Sequence, residues 1–488
     1  MHRPRLCPPT LIFTKQCLTG GVQVFTTSMQ MEKLFVMNFG SWFTPYRATG
    51  PQRSFAYKRK SRPLALPHPP RLIRWTFLLF IFLIPLEAIE FGIGVRGSLT
   101  LPRIVGTLFF GLCLFSRKYT FRPLQGAGWF FVSYFAFFFF RAIVLPLSIS
   151  APAFRLLFTL GQLFFFFWIA SSLFRYENIS RNSALAFSLG CFALSLCAVF
   201  NIGGMAVSLG RMNRLALDGF NPNYIAYMLA VSIFLLAGFC LDIGLNKLWK
   251  NLLIIGLIIP QVMLIMYSGS RGGIIALILA LCLYVLPSGC RISKRKIVAI
   301  IGGIVFLLGI GFFALSDPMV ATRIDTTVHA NHKQPRDFIY ENALDMVLER
   351  PFIGWGPVAD ERELGKRLGR FERNPHNIFL QVFLQLGIVG GLLFVMGLGL
   401  CVISAWVGRK NIFGLIPIGL LLICLVVNMV HDFLPKKATW FVLAISAAAP
   451  KMPLRRPLAK SKNYPACQGR SESFSNSRMV TNAGKAIV

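Results

Sequence analysis

The residues with the clearest chemical potential form the short sequence Asn374-Pro375-His376-Asn377, at the end of a charged segment, residues 317–376. Ten of the chain's 18 acidic residues lie in this segment. His376 directly precedes a long apolar run, and histidine is the side chain that exchanges a proton near neutral pH. Two interpretations of His376 stay open: a structural cap, or a general base that neighbouring arginines keep neutral.

Four arginines are candidates for binding an anion beside that base: Arg211, Arg214, Arg271 and Arg336. Guanidinium groups bind phosphate oxygens in pairs, so the set could hold a diphosphate without a metal. Arg271 follows the small residues 268–270 at the start of an apolar run, where the helix dipole already favours an anion. The alternative for that segment is a tight turn between two helices.

His431-Asp432 lies near the end of another apolar run and provides a second candidate base or orienting pair. Ser270, Asn377, His431 and Asp432 are predicted to support the site. The pair His329-x-x-His332 has the spacing of one helical turn, but no catalytic glutamate pattern accompanies it. Neither a metal site nor a cofactor is predicted.

The elements that must position these residues are apolar helices. The chain is 55% hydrophobic and only 14% charged, with a mean hydropathy of +0.62, which excludes an ordinary soluble protein. This composition predicts an all-α polytopic membrane protein with about twelve transmembrane helices of roughly 20 residues each. The predicted runs are 73–93, 99–115, 126–147, 150–173, 184–207, 222–241, 249–267, 271–287, 297–316, 377–407, 412–433 and 438–449.

The net charge of +33 is interpreted as an orientation signal rather than as a nucleic-acid footprint. If the N-terminal segment is cytoplasmic and the runs alternate, most basic residues of the short loops and both termini fall on the cytoplasmic side. The candidate site residues and residues 317–376 then fall outside. Arg103, Arg141 and Arg155 also lie toward that face, which favours a pocket for an anion there.

The domain layout follows from these runs. We predict five parts in chain order: a basic, disordered N-terminal extension (1–72), helices one to nine (73–316), a periplasmic catalytic loop (317–376), helices ten to twelve (377–449) and a basic, disordered cytoplasmic tail (450–488). Met29, Met31 and Met37 are alternative start sites. Within the loop, residues 337–350 predict an amphipathic helix, residues 354–357 a turn and residues 361–373 a second helix.

Three sequence features together resemble the O-antigen ligase and O-antigen polymerase-like family. They are the Ser-Gly-Ser-Arg-Gly turn from Ser268, Arg336-Asp-Phe-Ile-Tyr followed by Pro351-x-x-Gly354-x-Gly356, and His376-Asn377 followed by Gly387-x-x-Gly390-Gly391. Their order and spacing match from about residue 200 to 400.

The resemblance implies a metal-independent, inverting glycosyltransferase of the bacterial inner membrane, with its active site on the periplasmic face. Its donor would be a glycan on a polyprenyl diphosphate carrier, and its acceptor lipid A-core sugar or a growing glycan chain. Arg211, Arg214, Arg271 and Arg336 would bind the diphosphate, and His376 would activate the acceptor hydroxyl. Membrane lipids are expected partners, and nucleic acid is not.

Two alternatives come from other classes. A transporter or flippase for an anionic lipid-linked substrate would also need arginines and many spans, but its charges should lie near the midplane. A structural or assembly protein would leave the arginines unexplained.

Overall fold

The computed structural model describes residues 68–87, 100–144, 151–202, 208–209, 215–216, 221–243, 248–283 and 335–453. Most of both predicted terminal extensions lies outside these ranges. So do Arg211, Arg214, the predicted helix 297–316 and residues 317–334 of the charged segment, with His329 and His332.

The described chain is mostly helical, as predicted. Its helices are α1 (Arg71–Leu83), α2 (Leu101–Phe115), α3 (Arg117–Thr120), α4 (Ala127–Val144), α5 (Ala151–Leu173), α6 (Glu177–Val199), α7 (Pro222–Ile243), α8 (Leu248–Ser268), α9 (Arg271–Cys282), α10 (Pro335–Glu349), α11 (Ala359–Arg367), α12 (Ile378–Val407), α13 (Ile416–Asn428) and α14 (Lys437–Ala448). Short 3-10 turns, Gly408–Lys410 and Ala449–Lys451, follow α12 and α14. An antiparallel pair of two-residue strands, β1 (Ser208–Leu209) and β2 (Leu215–Ala216), was not predicted.

Within the described ranges, six helices are long and apolar enough to cross a membrane. They cover Ala127–Val144, Phe154–Leu173, Glu177–Val199, Pro222–Cys240, Trp249–Ser268 and Ile378–Lys410. Shorter apolar helices cover Leu101–Phe115, Arg271–Cys282 and Ile416–Asn428. These lengths and compositions indicate a multi-pass membrane protein. The total of twelve spans stays a prediction.

The core of the helix bundle is aromatic. Trp440 of α14 is fully buried, with its ring 5.5 Å from that of Phe131, 5.3 Å from Phe135 and 5.9 Å from Phe167. Its indole N–H donates a hydrogen bond of 2.8 Å to the carbonyl of Leu434. The packing of α4, α5 and α14 is thereby joined to the turn before α14, which belongs to the candidate site described below.

The bundle has two distinct ends. We call the end where α9 and α12 begin the loop end, because α10 and α11 pack there. At the opposite end, the turn after α12 meets the C-terminus of α14, and a Cβ on Gly408 would lie 2.7 Å from the Ala449 carbonyl carbon. α4 ends at the loop end, because Arg141 in its last turn donates a hydrogen bond to the carbonyl of Ile353. The ring pairs Phe131–Phe167 and Phe135–Phe164 show that α5 is antiparallel to α4. The C-terminus of α5 therefore lies at the opposite end.

The described part of the charged segment, residues 335–376, forms two helices in the order predicted. The predicted helix 337–350 is observed as α10, Pro335–Glu349. The predicted helix 361–373 is wrong at both ends, because α11 covers Ala359–Arg367 and the chain turns at Gly369, whose φ is 64°. Met346 and Leu364 pack with Leu384 of α12 in a small separate apolar cluster. The loop is therefore folded onto the bundle.

The turn after α10 is joined to a break in α12. The run 377–407 was predicted as one helix, but Gly387 has φ 62° and ψ −161°, which interrupts it. Trp355 N and Gly356 N donate hydrogen bonds to the carbonyls of Leu384 and Gln385 at 2.8 and 2.9 Å. In return, Ile388 N donates to the carbonyl of Pro351 at 2.7 Å.

This junction explains the glycine pattern of the Pro351-x-x-Gly354-x-Gly356 motif. A Cβ on Gly354 would lie 2.6 Å from the Leu384 carbonyl oxygen, and one on Gly387 would lie 2.4 Å from the Phe352 carbonyl carbon. Contacts this short do not occur with real side chains, so the close approach requires glycine on both sides. The motif fixes the loop, and with it the chain that leads to His376.

Candidate active site

His376 lies between α11 and α12 with its backbone held in an unusual conformation. Its φ is 56°, in the left-handed region that few residues other than glycine adopt. Its N–H donates a hydrogen bond of 2.7 Å to Asn374 Oδ1. Asn377 then caps α12, because its Oδ1 accepts from the N–H groups of Phe379 and Leu380 at 3.0 and 3.2 Å. The side chain that caps α12 is therefore that of Asn377, and not that of His376.

Asn374 connects the loop to the turn between α13 and α14. Its Nδ2 donates to Glu361 Oε1 at 2.9 Å and to Asp432 Oδ2 at 3.4 Å. Asp432 Oδ1 in turn accepts from Leu434 N at 3.0 Å. One amide side chain therefore holds two carboxylates and the backbone of the histidine together.

The second histidine of the predicted set lies beside the first. The ring centroids of His431 and His376 are 6.1 Å apart, with the rings at 66° to each other. His431 is 8% exposed and stacks on Phe433 at 5.3 Å. The packing against Phe433 fixes the His431 ring next to the half-buried His376.

The electrostatic environment favours a neutral His376. Burial lowers the pKa of His376 below its usual value, and the cations Arg373 and Arg336 lower it further. Arg336 lies in the first turn of α10 with its side chain exposed. An arginine predicted to bind diphosphate is therefore close enough to act on the predicted base.

The pKa values of the neighbouring carboxyl groups are raised, whereas that of His376 is lowered. Burial raises the pKa of Asp432 to about 6, although hydrogen bonds from Leu434 and Asn374 oppose the shift. Burial also raises the pKa of Glu361. Asp360 is 1% exposed and accepts a hydrogen bond of 2.6 Å from Gln381, and burial together with Glu361 raises its pKa strongly. Titratable groups whose pKa values are perturbed by burial and neighbouring charges in this way are common at active sites.

Arg271 is the first residue of α9, and its side chain is exposed. Ser270 is the N-cap of α9, since its Oγ accepts a hydrogen bond from Gly273 N at 3.4 Å. A Cβ on Gly272 would lie 3.6 Å from Val430, the residue before His431. The start of α9 therefore adjoins the turn that carries His431 and Asp432. The tight turn and the exposed arginine are both present, so the two interpretations of this segment are compatible.

Arg141 has a role different from the one expected. It was grouped with the arginines of an anion pocket, but it is 6% exposed and donates from Nε to the carbonyl of Ile353 and from Nη2 to that of Gly354, both at 3.1 Å. It is a tether between α4 and the loop turn. Arg103 and Arg155 are exposed near the starts of α2 and α5.

The structure thus brings together His376, His431 and Asp432, with Arg336 and the start of α9 nearby. Asn374, Glu361, Asp360 and Arg373 were missed as site residues. The Asn-Pro-His-Asn sequence contained a signal for Asn374. The carboxylates carried no signal, because only the packing of α11 against α12 buries them.

Part of the chain matches a known protein family. Residues 252–395 match the family model described as O-Antigen ligase. The matched segment begins in α8, includes α9, α10, α11 and His376, and ends in α12, so the resemblance noted in the sequence is confirmed over this part of the chain. No curated protein matches the chain.

Proposed function

We propose, from the O-antigen ligase match and the geometry around His376, that this protein is a membrane glycosyltransferase. It transfers a glycan from a polyprenyl diphosphate carrier to a sugar hydroxyl of lipid A-core or of a growing glycan chain. The loop end faces the periplasm of a bacterial inner membrane, and both termini are cytoplasmic. The reaction builds a cell-surface polysaccharide.

The proposed step is a single displacement with inversion at the anomeric carbon. The acceptor oxygen forms a bond to that carbon as its proton passes to His376. The bond from the anomeric carbon to the carrier diphosphate breaks, and the diphosphate leaves with both electrons of that bond. Because a diphosphate is already a good leaving group, the protein mainly positions the acceptor and neutralises charge.

The observation that carries the proposal is the environment of His376. Burial, Arg373 and Arg336 all lower the pKa of its ring, so the ring is neutral and able to accept a proton at pH 7. The same cations provide positive charge where a diphosphate would lie. The displacement requires a neutral base to accept the hydroxyl proton and positive charge to bind the diphosphate, and this arrangement provides both.

The remaining predicted residues have distinct parts in the proposal. Arg271 and Arg336, with Arg211 and Arg214 outside the described residues, bind the diphosphate. His431 and Asp432 form the wall against which the His376 ring is held, since the His431 ring is 6.1 Å away. Ser270 and Asn377 act through the helices they cap, so they position Arg271 and His376 without touching substrate.

The test is transfer by the purified protein in detergent micelles, with a carrier-linked glycan and an acceptor glycan. We expect His376→Ala to lower the rate by about 10²- to 10⁴-fold, the usual contribution of a general base. His68→Ala is the matched control, because His68 is an exposed histidine near Tyr176 at the opposite end. Unchanged transfer by His376→Ala would overturn the catalytic assignment. A protein that forms no product in micelles but moves lipid-linked glycan across vesicles would be a flippase instead.

The glycans that accumulate in a deletion strain distinguish a ligase from a polymerase, and with it the kind of acceptor. Loss of a ligase leaves long chains on the carrier, whereas loss of a polymerase leaves single repeats attached to the acceptor. Complementation with His376→Ala should reproduce the deletion pattern, and complementation with His68→Ala should restore the normal one.

A further inference from the structure

We propose that the opposite end of the bundle carries a binding site for a phosphate group, formed by Arg122, Arg175 and Lys451. The ligand is a phosphate carried by an anionic lipid headgroup or a free phosphate ion. The three cations come from separate parts of the chain and line one pocket with Gln125 and Ser171. The site is remote from His376, because residues 388–407 of α12 alone rise about 30 Å.

Arg122, between α3 and α4, is fixed by α5. Its carbonyl accepts a hydrogen bond of 2.7 Å from the indole N–H of Trp168, and its N–H donates to Ser172 Oγ at 3.4 Å. Its guanidinium donates to the hydroxyl of Tyr176 at 2.5 Å and lies over the ring of that residue. The position of Arg122 is therefore set by packing and does not depend on a ligand.

The backbone that carries Lys451 is fixed in a similar way. Asn411 Nδ2 donates a hydrogen bond of 2.5 Å to the carbonyl of Ala449, and Ile412 N donates to the carbonyl of Pro453 at 3.1 Å. Asn411 is 5% exposed, so this contact is well shielded from water. The segment after α14 is thereby held on the turn between α12 and α13, facing the two arginines.

The pocket contains positive charge that nothing described neutralises. Within the described ranges, no carboxylate forms a salt bridge with any of the three cations, and Glu177, the nearest acid along the chain, pairs with Arg181 at 3.6 Å. Arg175 Nε is buried and has no hydrogen-bond partner among the described residues. A buried charged donor without a partner is costly, and a bound anion would remove that cost.

The titration behaviour of the cluster agrees with this geometry. Burial and the neighbouring Arg122 lower the pKa of Arg175, while Tyr176 opposes the shift. Burial, Arg175 and Arg122 lower the pKa of Lys451. The cations repel one another, and an anion bound among them would add three attractive cation–anion pairs that offset this repulsion.

The pocket lining combines cations with apolar side chains, which suits a phosphate with an apolar substituent. Two guanidinium groups and an ammonium match the tetrahedral oxygens of a phosphate. The same pocket is lined by the apolar residues Leu124, Phe167, Ala447 and Ala448, of which the last two end α14. Basic pockets between transmembrane helices are a recurring type of site for anionic lipid headgroups.

The experiment is a thermal-unfolding titration of the full-length protein in neutral detergent, together with native mass spectrometry of lipid adducts. Three probes are compared: phosphatidylglycerol, phosphatidylcholine and inorganic phosphate. A ligand that binds only the folded protein raises Tm with its concentration. We expect phosphatidylglycerol to raise Tm and phosphatidylcholine to have no effect, and a rise with inorganic phosphate alone would identify the free ion as the ligand.

Arg175→Gln should weaken binding of the active probe about tenfold or more, the loss expected for one charge-assisted contact. Arg117→Gln is the matched control, because Arg117 is an exposed arginine of α3 outside the pocket. Arg175→Lys, which keeps the charge, should bind with intermediate affinity and covers the case in which Arg175→Gln fails to fold. Equal Tm shifts in wild type, Arg175→Gln and Arg175→Lys would overturn the site, as would equal loss in Arg117→Gln. These measurements involve no glycan transfer, so their failure leaves the proposed function intact.

Discussion

Cations cluster at both ends of the molecule, but the groups that surround them differ. At the loop end, Arg336 and Arg373 act on a histidine that lies among the shifted carboxyl groups of Asp432 and Glu361. At the opposite end, Arg122, Arg175 and Lys451 share a pocket with no carboxylate bound to them in the described chain. Cations mixed with titratable groups near neutrality are suited to proton transfer. Cations alone are suited to holding a permanent anion.

The largest effect is expected from Gly387→Ala, which should disrupt the packing of the loop at the loop end and leave the opposite end unchanged. Gly387→Ala would place a Cβ 2.4 Å from the Phe352 carbonyl carbon at a backbone conformation open mainly to glycine, at a cost of about 1–3 kcal/mol for the conformation alone. We expect the loop to detach and glycan transfer to be lost, while phosphatidylglycerol still raises Tm. The measurements are transfer in micelles and the lipid titration.

Gly399→Ala is the control for that change. Gly399 lies in the same helix, and a Cβ there would meet nothing within 4 Å. This substitution should leave transfer unchanged and should favour the helix slightly. If Gly399→Ala were as harmful as Gly387→Ala, the junction between loop and helix would have no special part in activity.

A smaller effect is expected within the loop end. Asn374→Ala removes the bonds to Glu361 and Asp432 and the acceptor for His376 N–H. Transfer should fall by at least about tenfold, since three partly buried hydrogen bonds are lost and each contributes a net of about 0.5–1.5 kcal/mol. Asn342→Ala is the control, because Asn342 is only partly buried and its side chain donates a hydrogen bond to the carbonyl of Phe338 in its own helix, outside the network around His376. Equal rates for the two variants would exclude a positioning role for Asn374.

The smallest expected effect is a shift of the pH profile. A base must be neutral, so kcat/KM should fall as pH drops through the pKa of His376, which lies below its usual value of 6.5. Arg336→Gln removes one cause of that depression. The pKa should then rise, and the acid limb of the profile should move to higher pH whatever happens to the maximal rate.

Lys436→Gln distinguishes His376 from its neighbour in the same titration. Lys436 lowers the pKa of Asp432, which is about 6, and is not among the causes that shift His376. If Lys436→Gln moved the acid limb and Arg336→Gln did not, the group controlling transfer would be Asp432.

The sequence was sufficient for features that depend on local pattern. Apolar length predicted the membrane helices, and spacing predicted α10. The Asn-Pro-His-Asn sequence indicated where chemistry was to be expected. Contacts between distant segments carried no such signal. The tether from Arg141 to Ile353, the pocket that joins Arg122 to Lys451 and the burial of Asp360 all depend on packing between elements far apart in the chain.

The break in α12 is an instructive case. An apolar run with several glycines has the composition of a continuous membrane helix, in which glycine is common. The interruption is visible only with its partner, the turn after α10, which lies more than 30 residues earlier in the chain and supplies Trp355 N, Gly356 N and the carbonyl of Pro351. The resemblance to the ligase family preserved both halves of this arrangement as a pattern of glycines without revealing its geometry.

That junction also makes α12 depend on the loop before it. The carbonyls of Leu384 and Gln385 and the N–H of Ile388 are hydrogen-bonded to the folded turn, and lipid offers no substitute for such partners. A continuous helix would satisfy these groups within itself, whereas here an earlier segment of the chain supplies the partners. The span that follows the proposed base is therefore a composite, made of one helix and the turn that completes its hydrogen bonding.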